Sequence, residues 1–159
     1  MYLPYGTVVA LAIIILDQIS KWWLMSQYQL PLHAPVELLP FLNLVVVFNH
    51  GISFGMLSDV GLSNANILII ITSFITAFLF GWLKKADHVF LARALGLVIG
   101  GAIGNIIDRF RFGAVFDFVD VHAMGYHWPA FNVADASICI GVFLLLIDGL
   151  CKKDPSLDS

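Results

Sequence analysis

The stretch Phe116–Ser137, FDFVDVHAMGYHWPAFNVADAS, holds three aspartates, two histidines and an asparagine between two long apolar runs. A carboxylate costs little in water and a great deal at bilayer depth, so the meaning of these acids depends on where lipid lies. The flanking sequence answers that. Of the 159 residues, 60% are hydrophobic and 12% are charged, and the mean hydropathy is +0.91. Such a chain is too apolar to close a soluble surface around itself. Outward from the quoted stretch, four segments approach the length that crosses about 30 Å of hydrocarbon at about 1.5 Å per helical residue. They lie near Tyr5–Met25, Ile67–Leu83, Val89–Ile107 and Val133–Leu150. The predicted fold is a mainly α membrane protein with four transmembrane helices, one unit over residues 1–159. The first span has no basic leading segment and no small-x-small site after Leu24, so it is expected to stay attached.

The net charge is -3, with no basic cluster of the kind that tracks a phosphate backbone, which argues against nucleic acid as a partner. Lys84, Lys85, Arg93, Lys152 and Lys153 fall at one face of the four spans, and Lys21, Arg109 and Arg111 at the other. The excess predicts that the first face, with both termini, is cytoplasmic. The segments Ser26–Asn66 and Asp108–Asn132 then face outward, and the KKADH stretch is a short inner hairpin. In the first outer segment, VELLPFLNLVVVFNHGISFGML reads as short strands and a turn lying on the membrane surface. Cys139 and Cys151 are separated by about 18 Å along one helix, beyond disulfide reach, and read as apolar packing residues. The terminal KKDPSLDS reads as a tail without order.

Three polar clusters stand out. In DQISKWW, Asp17 and Lys21 share a helix face, and Trp22 and Trp23 suit an interfacial belt. The pair reads as a structural ion link between the first helix and its neighbours, with catalysis by Asp17 the lesser reading. In GLVIGGAIGNIIDRF, Gly96, Gly100 and Gly104 recur every fourth residue, with Asp108 continuing the stripe, so another helix can approach closely. A neighbouring stripe of Gly101, Asn105 and Arg109 brings an amide and a guanidinium to the helix end. Arg109 there either caps the helix or orients a carboxylate or a substrate carbonyl.

The third cluster is the quoted stretch. Asp117 follows an apolar, β-like AVF, and Asp135 follows FNVA at the start of the last helix. Two carboxylates brought to one depth from separate elements are what an aspartic protease needs: one ionised, to take a proton from water, the other protonated, to donate to the carbonyl oxygen. Spacing alone equally allows Asp135 as a helix N-cap and Asp117 as a turn residue, with Asp120 a rival to Asp117. His33, His50, His88, His122 and His127 do not fall at metal-ligand spacing, so no metal is expected and no cofactor is called for. There is no GxSxG, and Ser20, Ser53 and Ser137 have no evident base beside them.

Taken together, DQISK, FNHGISFG, GGAIGNIIDR, VFDFVD and PAFNVADAS resemble, in order and spacing, the motifs of the bacterial lipoprotein signal peptidase family, signal peptidase II. The resemblance runs from Asp17 to Ser137. It implies a multi-pass inner-membrane endopeptidase of four helices with a small extracytoplasmic β-cradle and an aspartyl dyad. Such an enzyme removes the signal peptide of prolipoproteins just before a diacylglyceryl-modified cysteine. Its partners are the lipidated substrate and membrane lipid, and the chain is expected to act as a monomer. Carried over, the dyad is Asp117 and Asp135, with the active site toward the outer face. The supporting residues are Asp17, Lys21, Asn49, Gly51, Asn105, Asp108, Arg109 and Asn132. Ile52 and Ser53 replace a usual pair of alanines, and Ala136 replaces a common serine. A proton-coupled transporter using the same acids, or a non-catalytic membrane chaperone, are the alternative classes, although a transporter usually shows internal repeats and broken helices.

Overall fold

For most of this chain the solvent is hydrocarbon, so backbone hydrogen bonds must be closed within each crossing segment, and helices do this. The computed structural model describes residues 1–30, 35–51 and 64–151. Its helices are α1 (Leu3–Trp22), α2 (Asn64–Lys84), α3 (Val89–Phe112) and α4 (Val133–Cys151), each within a segment long and apolar enough to cross a membrane. His33, Ile52, Ser53, Lys152, Lys153 and the terminal tail lie outside the described residues. The helices run longer than hydropathy predicts. α1 begins at Leu3 and continues through a π-helical turn, Trp23–Gln27, where the Tyr28 N–H donates to the Trp23 carbonyl at 2.9 Å. α3 passes the expected end at Ile107 and stops at Phe112, so Asp108 and Arg109 stay on its stripes as read and Arg111 is helical too. The polarity of these residues hid how far the helix runs. Gly113 ends α3 in the left-handed region, φ +70°, and its N–H donates to the Arg109 carbonyl.

α3 is the central helix: 67% of its spanning window is buried, against 22% for α1 and 17% for each of α2 and α4. Its small residues explain this. A Cβ added at Gly100 would lie 2.7 Å from the Ala10 carbonyl oxygen, and one at Gly96 would strike the Gly6 backbone. The glycine stripe therefore receives α1 backbone to backbone. Gly101, on the neighbouring stripe, meets Ala134 and Ser137 of α4, while Gly141 of α4 faces Val98 and the Ala94 carbonyl. Leucines here would push both helices away. Outward faces such as Val8, Leu11, Ile15, Phe74, Phe78, Phe143 and Leu146 are exposed apolar surface, which suits lipid. Cys139 and Cys151 are also exposed, and so are not the packing residues expected; they occupy outward positions on α4. At the opposite end from the sheet, His88 Nε2 lies 2.6 Å from Asp148 Oδ1, linking the α2–α3 connection to α4.

Strands β1 (Val36–Leu39), β2 (Leu42–Asn49), β3 (Val115–Ala123) and β4 (Tyr126–His127) form an antiparallel sheet in the order β1-β2-β3-β4. β1 and β2 are the short strands expected, with Pro40 in their turn. β3 lies within a segment expected as a loop, and beneath it Leu24, Leu30, Phe116 and Phe118 form a second apolar core. Pairing of β2 with β3 places Asn43 opposite Asp120, Val47 opposite Asp117 and Asn49 opposite Val115. The register shifts between Leu44 and Val47, a bulge that re-aims the end of β2 toward Asp117.

Candidate active site

Asp117 sits inside β3, not in a turn, and is 1% exposed. Val115–Phe118 are all buried, and the chain after β4 returns alongside β3. The Phe131 carbonyl accepts the Val119 N–H at 2.9 Å, and the Trp128 N–H donates to the Val121 carbonyl. This return fixes where α4 starts. The helix opens on a reciprocal cap: the Asp135 N–H donates to Asn132 Oδ1 at 2.9 Å, and the Asn132 N–H donates to Asp135 Oδ2 at 3.2 Å. Asn132 is therefore the cap residue, and Asp135 lies three positions on, correcting the alternative in which Asp135 caps. Its carboxylate answers the cap while keeping Oδ1 for other partners.

Four asparagine contacts orient the two carboxyls. Asn132 Nδ2 donates to Asp117 Oδ1 at 2.7 Å, and Asn49 Nδ2 donates to Asp117 Oδ2 at 3.1 Å. Asn105 Nδ2 donates to Asp135 Oδ1 at 2.8 Å, and Asn132 Nδ2 also reaches Asn105 Oδ1 at 3.3 Å. Asn49 is itself held by Gly51, whose N–H donates to Asn49 Oδ1 at 2.9 Å. Gly51 has φ +82°, which a side chain rarely tolerates, and the turn it makes aims the asparagine amide at Asp117. Burial pushes the Asp117 carboxyl up to about 6, and the charge of Asp135 beside it pushes in the same direction, against the donors Asn49 and Asn132. A carboxyl placed this way keeps its proton to higher pH than an ordinary aspartate and gives it up as pH rises through about 6.

Asp120, the rival, is directed elsewhere. Its Oδ2 accepts from Asn43 Nδ2 at 3.0 Å, and the His127 ring lies 2.9 Å from its Oδ1, which holds its carboxyl below the usual range. Arg109 is half-buried beside the carboxyls and within Coulombic reach of Asp135, Asp108 and Asp117. Its described hydrogen bond runs from Nη1 to the Asn105 carbonyl at 3.3 Å, so it does not grip a carboxylate.

Beneath the pair, Lys21 Nζ lies 2.8 Å from Asp17 Oδ2 and 2.7 Å from Asp108 Oδ2. The ion pair expected between Asp17 and Lys21 is present and has a third member. Lys21 is thus a buried counter-ion and not a loop charge, which explains one of the three basic residues on the face read as outer. All ten residues singled out in the sequence converge at this end of the helices. Gln18 is not singled out in the sequence, and Arg111 is read there only as an outer-face charge. Gln18 stands inside DQISK, but its contacts are with Asp17 and with Asp108 of α3, and no spacing along α1 signals the second.

The profile of the family described as Signal peptidase (SPase) II matches residues 9–151. The chain is 43% identical to a lipoprotein signal peptidase of Methylorubrum extorquens (strain PA1), over 96% of this chain and 91% of that one. It is 38% identical to a lipoprotein signal peptidase of Polynucleobacter necessarius subsp. necessarius (strain STIR1), covering 91% and 88% of the two chains. A bacterial membrane enzyme solved by the in meso method at 2.3 Å superposes with a TM-score of 0.78 at 31% identity, covering 97% of this chain and 94% of that one.

Proposed function

The chain belongs to the signal peptidase II family, and from that premise we propose that it is an aspartic endopeptidase of the bacterial inner membrane that frees prolipoproteins of their signal peptides. The observation that carries the mechanism is the buried Asp117 carboxyl, raised to about 6 beside Asp135. One aspartate, ionised, takes a proton from water as it attacks the scissile carbonyl. The other, protonated, donates to the carbonyl oxygen, and a proton then passes to the leaving amine. Asn49 and Arg109 hold the peptide across the dyad, the guanidinium having donors to spare. No metal or cofactor enters this scheme. The transporter alternative finds no support in the family.

The substrate is cut before a diacylglyceryl-modified cysteine, the dyad faces the outer side, both termini are cytoplasmic and the chain acts as a monomer. The exposed apolar faces of α1, α2 and α4 support this arrangement, since acyl chains can stay in the bilayer while the peptide meets the dyad at the helix ends. Lipid then supplies proximity, and positioning can lower a barrier by up to about 7 to 11 kcal/mol. The test is one precursor with and without its diacylglyceryl group, at matched concentration in one detergent. The lipidated form should be cut far faster. Equal rates would make the chain a membrane protease that does not read lipid.

A further inference from the structure

Below the dyad a single buried ammonium, Lys21, is shared by two carboxylates, Asp17 and Asp108, and the three are exposed by 1%, 0% and 0%. Gln18 supplies further donors. Its Nε2 lies 3.1 Å from Asp17 Oδ2 and 3.0 Å from Asp108 Oδ1, and also 3.4 Å from the Gly104 carbonyl. Its Oε1 accepts from Arg111 Nη1 at 3.3 Å, which selects the orientation of the amide. One neutral side chain thus spans two carboxylates on different helices.

What those carboxylates do with their other bonds gives the bridge a purpose. Asp17 Oδ1 accepts the Ala134 N–H at 3.0 Å, and Asp108 Oδ2 accepts the Phe116 N–H at 3.1 Å. Ala134 immediately precedes Asp135, and Phe116 immediately precedes Asp117. Each carboxylate therefore holds the backbone one residue away from a dyad member.

We propose that Gln18 is a positioning residue for the dyad: by bridging Asp17 to Asp108 it sets the spacing between the two backbone segments that carry Asp117 and Asp135. The proposal rests on the aspartyl reading above. Lys21 draws the same carboxylates together by charge, which acts in all directions, whereas the amide of Gln18 has fixed donor directions and so defines an angle as well as a distance. A small change in spacing alters how strongly each carboxyl raises the other, and how a water is held between them.

The experiment compares Gln18→Leu, Arg111→Met and Arg111→Lys with the parent on a lipidated precursor, recording kcat, KM and the pH profile. Arg111 is exposed at the surface, where it also lies over the Phe112 ring, so its variants keep the buried cluster and remove the hydrogen bond that orients the Gln18 amide. Gln18→Leu should lower kcat about ten- to a hundred-fold, with KM changed less than about two-fold. The high-pH limb of its profile should also move. Arg111→Met should shift kcat and the limb in the same direction by a smaller factor, and Arg111→Lys should restore them. A Gln18→Leu enzyme with kcat near the parent overturns the proposal. So does a fall in kcat with an unmoved pH limb and an unaffected Arg111→Met, since that is loss of stability alone. Asp117→Asn and Asp135→Asn are run beside them. Activity in either would overturn the aspartyl reading itself, while inactivity in both with unaffected Gln18 and Arg111 variants overturns only the role of Gln18.

Discussion

Asn132 Nδ2 stands 2.7 Å from Asp117 Oδ1, across the gap between a strand and a helix start. The same side chain caps α4 through its Oδ1, so one amide both begins the helix that carries Asp135 and donates to the other aspartate. Two substitutions separate these jobs. Asn132→Ala should lose about 1 kcal/mol of stability with the cap. It should also lose about ten-fold or more in kcat, as expected for a hydrogen bond to a charged group worth about 1.5–3 kcal/mol. Asn132→Ser keeps a capping oxygen on a side chain too short to reach Asp117, so it should melt closer to the parent and still turn over slowly. Parent-like turnover by Asn132→Ser would show that Asp117 does not need this bond.

The proposed sharing of one proton by Asp117 and Asp135 predicts a pH profile. With Asp117 at about 6 in the free chain, the singly protonated pair is lost as pH rises through that region, and kcat/KM should fall there. Covering the pair with peptide removes more water and favours the protonated form, so the decline in kcat should lie at higher pH. Initial rates at saturating and limiting lipopeptide across pH 5–9, as an assay range of about four units, check this. Coincident limbs would mean that the bound peptide does not dehydrate the carboxyls.

The same shift has a consequence for stability. The folded-state value of about 6 exceeds the ordinary 3.8, so between the two the folded chain binds more protons than the unfolded one. The contribution of this group is most favourable below about pH 4 and falls as pH rises through about 6. Asp117→Asn carries no such penalty. The melting temperature of Asp117→Asn relative to the parent should therefore rise between about pH 4 and pH 7, although the variant cleaves nothing. A constant difference would indicate that Asp117 is not held above its ordinary range.

Lys21 is the counter-ion of both Asp17 and Asp108. Lys21→Met fills much of the volume but leaves two buried carboxylates, at a cost on the order of 3 to 5 kcal/mol. Its melting temperature in detergent should fall sharply, and adding Asp17→Asn should recover part of the loss by removing one uncompensated charge. A double variant no more stable than the single would mean that the carboxylates are not electrostatically strained.

Orientation is testable at the hairpin between β3 and β4. Met124 is fully exposed there. In a chain with Cys139 and Cys151 replaced by alanine, Met124→Cys should react with an impermeant thiol reagent in intact cells. A cysteine at Ala86, in the α2–α3 connection, should react only after lysis. The reverse pattern would invert the topology inferred from the lysines.

Hydropathy, a local property, determined that there are four membrane helices, and glycine spacing determined which face of α3 takes another helix. The identities of the polar residues were equally legible: Asp117, Asp135, Asn132 and Asn105 all occur in short motifs. Helix ends were less so: hydropathy ends the third span at Ile107, and although Asp108 and Arg109 continue its stripes, nothing in the sequence carries the helix on to Arg111 and Phe112. Only the tertiary structure decided that Asp117 and Asp135 meet, since the segment between them could hold them at many separations. The β2–β3 register with its bulge, and the return of the chain to Phe131 along β3, select one. It likewise decided that Lys21 has two partners and that Gln18 joins them. Such contacts lie between helices far apart in sequence, where no periodicity along one helix records the partner on another.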